Sequence, residues 1–106
     1  MSHSQYRMVA YKTGITTGTQ VTSSSAAANV AIPVDASNGN PKRIILQCAS
    51  GNVHVKLLTS TSSTAATAGD LMVGTVPIVL DASGAAFVSY IQETAGSKLQ
   101  ISPVEQ

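Results

Sequence analysis

Tryptophan is absent from this 106-residue chain, aromatic residues make up 4% of it, charged residues 10%, and there is one cysteine. Each scarcity removes a class of protein. A single cysteine cannot close an internal disulfide, so no cysteine framework holds the chain together. Two histidines and one cysteine, dispersed along the sequence, fall short of the roughly four ligands that a structural zinc site takes, and neither metal nor cofactor is expected. Lys and Arg number 6 against 5 Asp and Glu, for a net charge of +1, and they are scattered. The basic stripe demanded by a phosphate backbone is missing, so nucleic acid is not an expected partner. No apolar run approaches the roughly 18 residues of a membrane span, and residues 1–12 carry no signal-peptide core. The expectation is a soluble, unprocessed protein without a membrane partner.

What the chain has instead is small residues: Ser, Thr and Ala fill 39 of the 106 positions, within a hydrophobic share of 43%. The core must be thin. At this length folding removes somewhat over ~60% of the unfolded chain's surface, a margin that self-association would widen. The length fits one domain, read as an amino-terminal arm with its strands over residues 1–28 and a β-sandwich core over residues 29–106.

Apolar positions rarely recur at helical spacing, whereas Val, Ile and Thr cluster between Gly, Asn, Asp and Ser. The fold class this predicts is all-β, a small antiparallel β-sandwich of about seven or eight strands. Its clearest unit is residues 43–58. Ile44, Leu46 and Cys48 alternate with Arg43, Ile45 and Gln47, Ser50-Gly51-Asn52 intervenes, and Val53, Val55 and Leu57 then alternate with His54, Lys56 and Leu58. This predicts a β-hairpin in which Gly51 supplies a positive φ. A second hairpin is predicted from strands at 86–92 and 98–102 with turn residues at 93–97. Further strands are predicted at 5–12, 15–23, 29–34 and 71–80, the last broken at Gly74 or Pro77. Pro33 and Pro77 lack the ladder N–H and mark an edge strand, a strand start or a bulge. Residues 59–68, TSTSSTAATA, have nothing with which to anchor a core and read as a long surface loop.

A faint repeat with an offset of about 45 residues relates Asp35 to Asp81, Gln47 to Gln92 and Gly51 to Gly96. Two similar three-strand units would give a pseudo-symmetric sandwich. Independent reuse of the same turn chemistry gives the same pattern.

Titratable groups are too few and too dispersed for catalysis. Asp35 and Asp81 each open Asp-Ala-Ser, where a carboxylate caps its own turn, so they read as turn residues rather than an acid–base pair. Cys48 is in phase with Ile44 and Leu46 and reads as a buried, inert thiol. His54 falls on the face opposite Val53 and Val55, towards solvent or a subunit contact, with no ligand set around it, and His3 lies near the amino terminus. No serine-hydrolase elbow or phosphate-binding glycine loop occurs. The expectation is a protein that is not an enzyme.

The apolar residues on second strand faces say more. Tyr6, Met8 and Ala10 alternate with Arg7, Val9 and Tyr11, so neither face of that segment is plainly polar. Ile45, Leu58 and Met72 repeat the pattern further on. Tyr6, Met8, Val9, Tyr11, Ile45, Leu58 and Met72 are therefore the candidate interface residues, because few charges accompany them to repel a partner.

The stretches NPKRIILQCASGNVHVKL and DASGAAFVSYIQETAGSKLQISPVEQ resemble the small β-sandwich structural proteins of tailed bacteriophages. In that pattern a strand of the type Arg-apolar-apolar-apolar-Gln is followed by a Gly turn, a short strand, a Gly/Ala/Ser-rich loop, a Pro-led apolar strand and a closing hairpin. Residues 43–47, Gly51, 53–57, 59–69, 77–80 and 87–101 fill those places, so the resemblance covers roughly the last two thirds of the chain. It implies a virion structural protein made in the host cytoplasm, foremost a capsid decoration (cement) protein that oligomerises and binds the major capsid protein or another virion protein. Its alternatives are a neck, tail or fibre-attachment component, or a small host-adhesion or carbohydrate-binding module. A sugar site would call for exposed aromatics, and the chain offers only Tyr6, Tyr11, Phe87 and Tyr90.

Overall fold

Strands form where β-branched and aliphatic residues alternate between turn residues. The computed structural model describes residues 18–34, 39–62 and 64–104 and contains eight strands: β1 Thr19–Thr22, β2 Ala28–Ala31, β3 Arg43–Ser50, β4 Val53–Leu58, β5 Leu71–Val73, β6 Ile78–Asp81, β7 Phe87–Gln92 and β8 Lys98–Pro103. No helix occurs among the described residues. All pairings are antiparallel. Sheet 1 has the order β1-β8-β3-β6 and sheet 2 the order β2-β7-β4-β5, so the fold is an all-β sandwich.

The interior is what the alternation in β3 and β4 demands. Ile44, Leu46 and Cys48 from β3 join Leu99 and Ile101 from β8, and they meet Val53, Val55, Val73, Val88 and Tyr90 from sheet 2 in one buried cluster. Burying each larger aliphatic side chain is worth about 1.5–3 kcal/mol, the principal return for ordering so small a chain. The predicted strand at 71–80 is broken across residues 74–77, with Pro77 immediately before β6, where its missing N–H costs the ladder nothing. The predicted strand at 5–12 lies outside the described residues, as does Asp35. β1, grouped above with the arm, is a full member of sheet 1 beside β8.

The two predicted hairpins are not hairpins. β3 belongs to sheet 1 and β4 to sheet 2, and β7 and β8 are divided in the same way. Each tight turn is an arch that carries the chain across the core. Alternation identifies the residues that face the core, but it is identical whether the next strand lies beside or opposite. The glycines still do the expected work, with φ of 68° at Gly51 and 71° at Gly96. An irregularity in register between Cys48 and Ser50 helps turn the chain out of sheet 1.

The repeat extends further than the sequence pattern. Replacing each strand of β1–β4 by its counterpart in β5–β8 converts the order β1-β8-β3-β6 into β5-β4-β7-β2, which is sheet 2. The halves follow the same path with the sheets exchanged. The registers agree: Leu46 faces Ile101 across the ladder as Tyr90 faces Val55. Leu46 and Tyr90 stand 44 positions apart, Val55 and Ile101 stand 46 apart, and the longer turn at 93–97 absorbs the difference.

Candidate functional site

Sheets 1 and 2 end on one flank in their edge strands β6 and β5, which residues 74–77 join directly. This flank holds most of the exposed large apolar side chains among the described residues: Leu71, Met72 at 53% exposure, Val76 at 73%, and Val79. Both strands are short, as edge strands that must avoid indiscriminate pairing usually are. Cys48 fastens the flank to the core from beneath. Its N–H donates to the Gly74 carbonyl at 2.8 Å, and its thiol donates to the Val73 carbonyl at 3.2 Å. The thiol is buried as predicted, and burial pushes its pKa up, which makes it a poor nucleophile.

The outer face of sheet 1 adjoins this flank. Ile45 is half-buried there between Val79 on β6 and Ser102 on β8, while Gln20, Gln100 and Gln47 form a row across β1, β8 and β3. A shallow open depression of about 280 Å³ lies between β1 and β8, lined by Gly18, Thr19, Gln20, Gln100, Ile101 and Ser102. No titratable side chain lines it. At the end of β6, Asp81 faces Arg43 and accepts the Ser83 N–H at 2.9 Å. That bond holds its carboxyl below the usual range and makes it the turn cap its sequence predicts.

The outer face of sheet 2 is covered over part of β4 and β7, while Met72 on β5 and Asn29 and Ala31 on β2 stay exposed on it. The segment between β4 and β5 returns across it, and the Ala66 N–H donates to the buried Ser89 hydroxyl at 2.9 Å. Ala66 is itself buried, so the Ser/Thr-rich stretch, expected as a surface loop, is docked on the sheet at this point. The physical reason is size: a methyl side chain lets the backbone lie close against the sheet. Leu58, expected as an interface residue, is 3% exposed and belongs to the chain's own interior. His54 requires a correction too. It is 6% exposed rather than directed to solvent, and it has two partners, the Asp70 carbonyl at Nδ1 (3.0 Å) and Glu93 Oε1 at Nε2 (2.7 Å). These bonds raise the His54 pKa, with the Glu93 contact the larger cause. Glu93 and Asp70 lie 39 and 16 positions away, so no local motif announces the cluster.

Of the candidate interface residues, Met72 is therefore exposed on the flank, Ile45 is half-exposed beside it, and Leu58 is withdrawn. Tyr6, Met8, Val9 and Tyr11 lie outside the described residues. Of the described aromatics, Tyr90 is buried and Phe87 half-buried, so neither offers an open stacking face. Among the described residues no three His, Cys, Asp or Glu gather where a metal could be held. No protein-family model matches the chain, and no curated protein or solved structure matches it.

Proposed function

We propose that this chain is a virion structural protein, a capsid decoration (cement) protein of a tailed phage, that binds by non-covalent contacts and performs no catalysis. The observation that carries the reading is the β5–β6 flank, where Leu71 and Met72 on β5, Val76 in the connection and Val79 on β6 are exposed along two strands that have no second ladder partner among the described residues. Apolar side chains supply affinity, and unpaired edge N–H and C=O groups accept an added strand. Its partners are a second copy of the chain and the major capsid protein or another virion protein. Tyr6, Met8, Val9 and Tyr11 are proposed to contribute from the amino-terminal side. Each contact is modest, and repetition over a shell lattice multiplies it through effective concentration. The resemblance of residues 43–101 to phage sandwich proteins supports the virion assignment.

The test is immunolabelling of particles with an antibody against the chain, followed by cryo-microscopy. A regular array of the protein over the head is expected. Label confined to the neck or tail, or absent from particles, would contradict the decoration role.

A further inference from the structure

His54 makes two hydrogen bonds that a neutral imidazole cannot make together. A backbone carbonyl only accepts, so Nδ1 must carry a proton to bond the Asp70 oxygen at 3.0 Å. A carboxylate only accepts, so Nε2 must carry one to bond Glu93 at 2.7 Å. The arrangement is complete only for the imidazolium. The ring also sits at a junction. It projects from β4 on the outer face of sheet 2, Asp70 ends the covering loop one residue before β5, and Glu93 opens the turn between β7 and β8. We propose that His54 is a proton-operated clasp that fastens the end of the 59–70 loop and the β7–β8 arch to sheet 2 when protonated and releases one of them when neutral.

The surroundings agree with this. Directly across the ladder from His54 stand Met72 on β5 and Ile91 on β7, neither of which titrates. The charged groups facing it are Glu93, Asp70, whose carboxylate is held by the Thr67 N–H at 2.7 Å, and Lys56, two residues along the same face of β4. Two carboxylates outweigh one ammonium, which favours the protonated ring. Because the folded state raises the pKa above its ordinary 6.5, the clasp's stabilisation is fully present below that value and is lost as pH rises through the folded value. Once the proton leaves, an Nε2 lone pair would oppose the Glu93 oxygen, or an Nδ1 lone pair the Asp70 carbonyl, and that tether opens. Leu71 follows Asp70 directly, so the clasp also sets where β5 begins. The inference rests on the bonds within one chain and is independent of what the flank binds.

The experiment is an NMR titration of the imidazole nitrogens in the full chain, with His3 as the internal comparison, together with amide-exchange protection factors for residues 64–71. His54 is expected to titrate above 6.5 with both nitrogens protonated on the acid side, and protection of the loop end is expected to fall over the same pH range. In Glu93→Gln, which alters a half-exposed side chain and leaves the core untouched, the midpoint is expected to move down. A His54 midpoint at or below 6.5, a midpoint unchanged in Glu93→Gln, or loop protection indifferent to the titration would each overturn the clasp.

Discussion

Leu46→Ala puts the sandwich to its hardest test. Leu46 is fully buried, flanked in its sheet by Ile101 on β8 and Ile78 on β6, and it faces the apolar side of sheet 2. The substitution removes three carbons, a transfer loss of about 2.4 kcal/mol at ~0.8 kcal/mol per methylene. A cavity term adds to this, because a central strand laddered on both sides cannot close over the void, so about 3–4 kcal/mol is expected in all. For a domain near this size that corresponds to a fall in Tm of roughly 15–25 °C. The assay is urea unfolding followed by far-UV circular dichroism at two protein concentrations, which separates folding from association. Val76→Ala is the control. At 73% exposure its truncation should cost no more than about 0.5 kcal/mol. A Leu46→Ala loss below about 1 kcal/mol, or an equal loss in Val76→Ala, would refute the placement of the core.

The two turn glycines separate backbone strain from crowding. In Gly96→Ala the new methyl meets nothing within 4 Å, so only the left-handed backbone is penalised, by about 1 kcal/mol, whereas in Gly51→Ala the methyl also runs into the Ser97 hydroxyl and the Thr94 side chain and should cost about 2–4 kcal/mol. Equal losses by thermal unfolding would show that the β3–β4 arch is not crowded. Cys48 should resist a thiol reagent in the folded protein and react fully in guanidinium; rapid native labelling would place it outside the core. Asp81, whose folded pKa is depressed, contributes stability that is present above its ordinary 3.8 and is lost as pH falls through the folded value. Asp81→Asn should therefore flatten the acid limb of the stability curve, and an unchanged limb would contradict the Ser83 cap.

Much of the fold could be read directly because single residues declare their environment. Ile44, Leu46 and Cys48 state by alternation that they point inward, Gly51 states that the chain turns, and Pro77 states where a strand begins. Which strands pair was not legible, because β3 finds its neighbours 30 to 60 residues away in β6 and β8, and alternation carries no information about distance along the chain. For the same reason the repeat could be seen at its turns and not in its exchange of sheets. His54 was misplaced by a sound rule: it does lie on the outer face, but Ala66 and Asp70 bring a loop over that face, and a Ser/Thr/Ala stretch gives no sign that it will dock. Met72 was identifiable as an apolar residue without an assigned place, and Leu58 carried the same signal with the opposite outcome.

The most direct test of the β5–β6 flank as a binding surface is the solution mass of the full chain beside Met72→Asp/Val76→Asp, measured by light scattering over a range of concentrations. Both substituted side chains are exposed, so the variant should retain its circular dichroism and Tm. The wild-type chain should rise above its monomer mass of 10.8 kDa as concentration increases, and the variant should stay at that mass. A folded variant that associates as strongly as the wild type, or a wild type that remains monomeric throughout, would contradict the account.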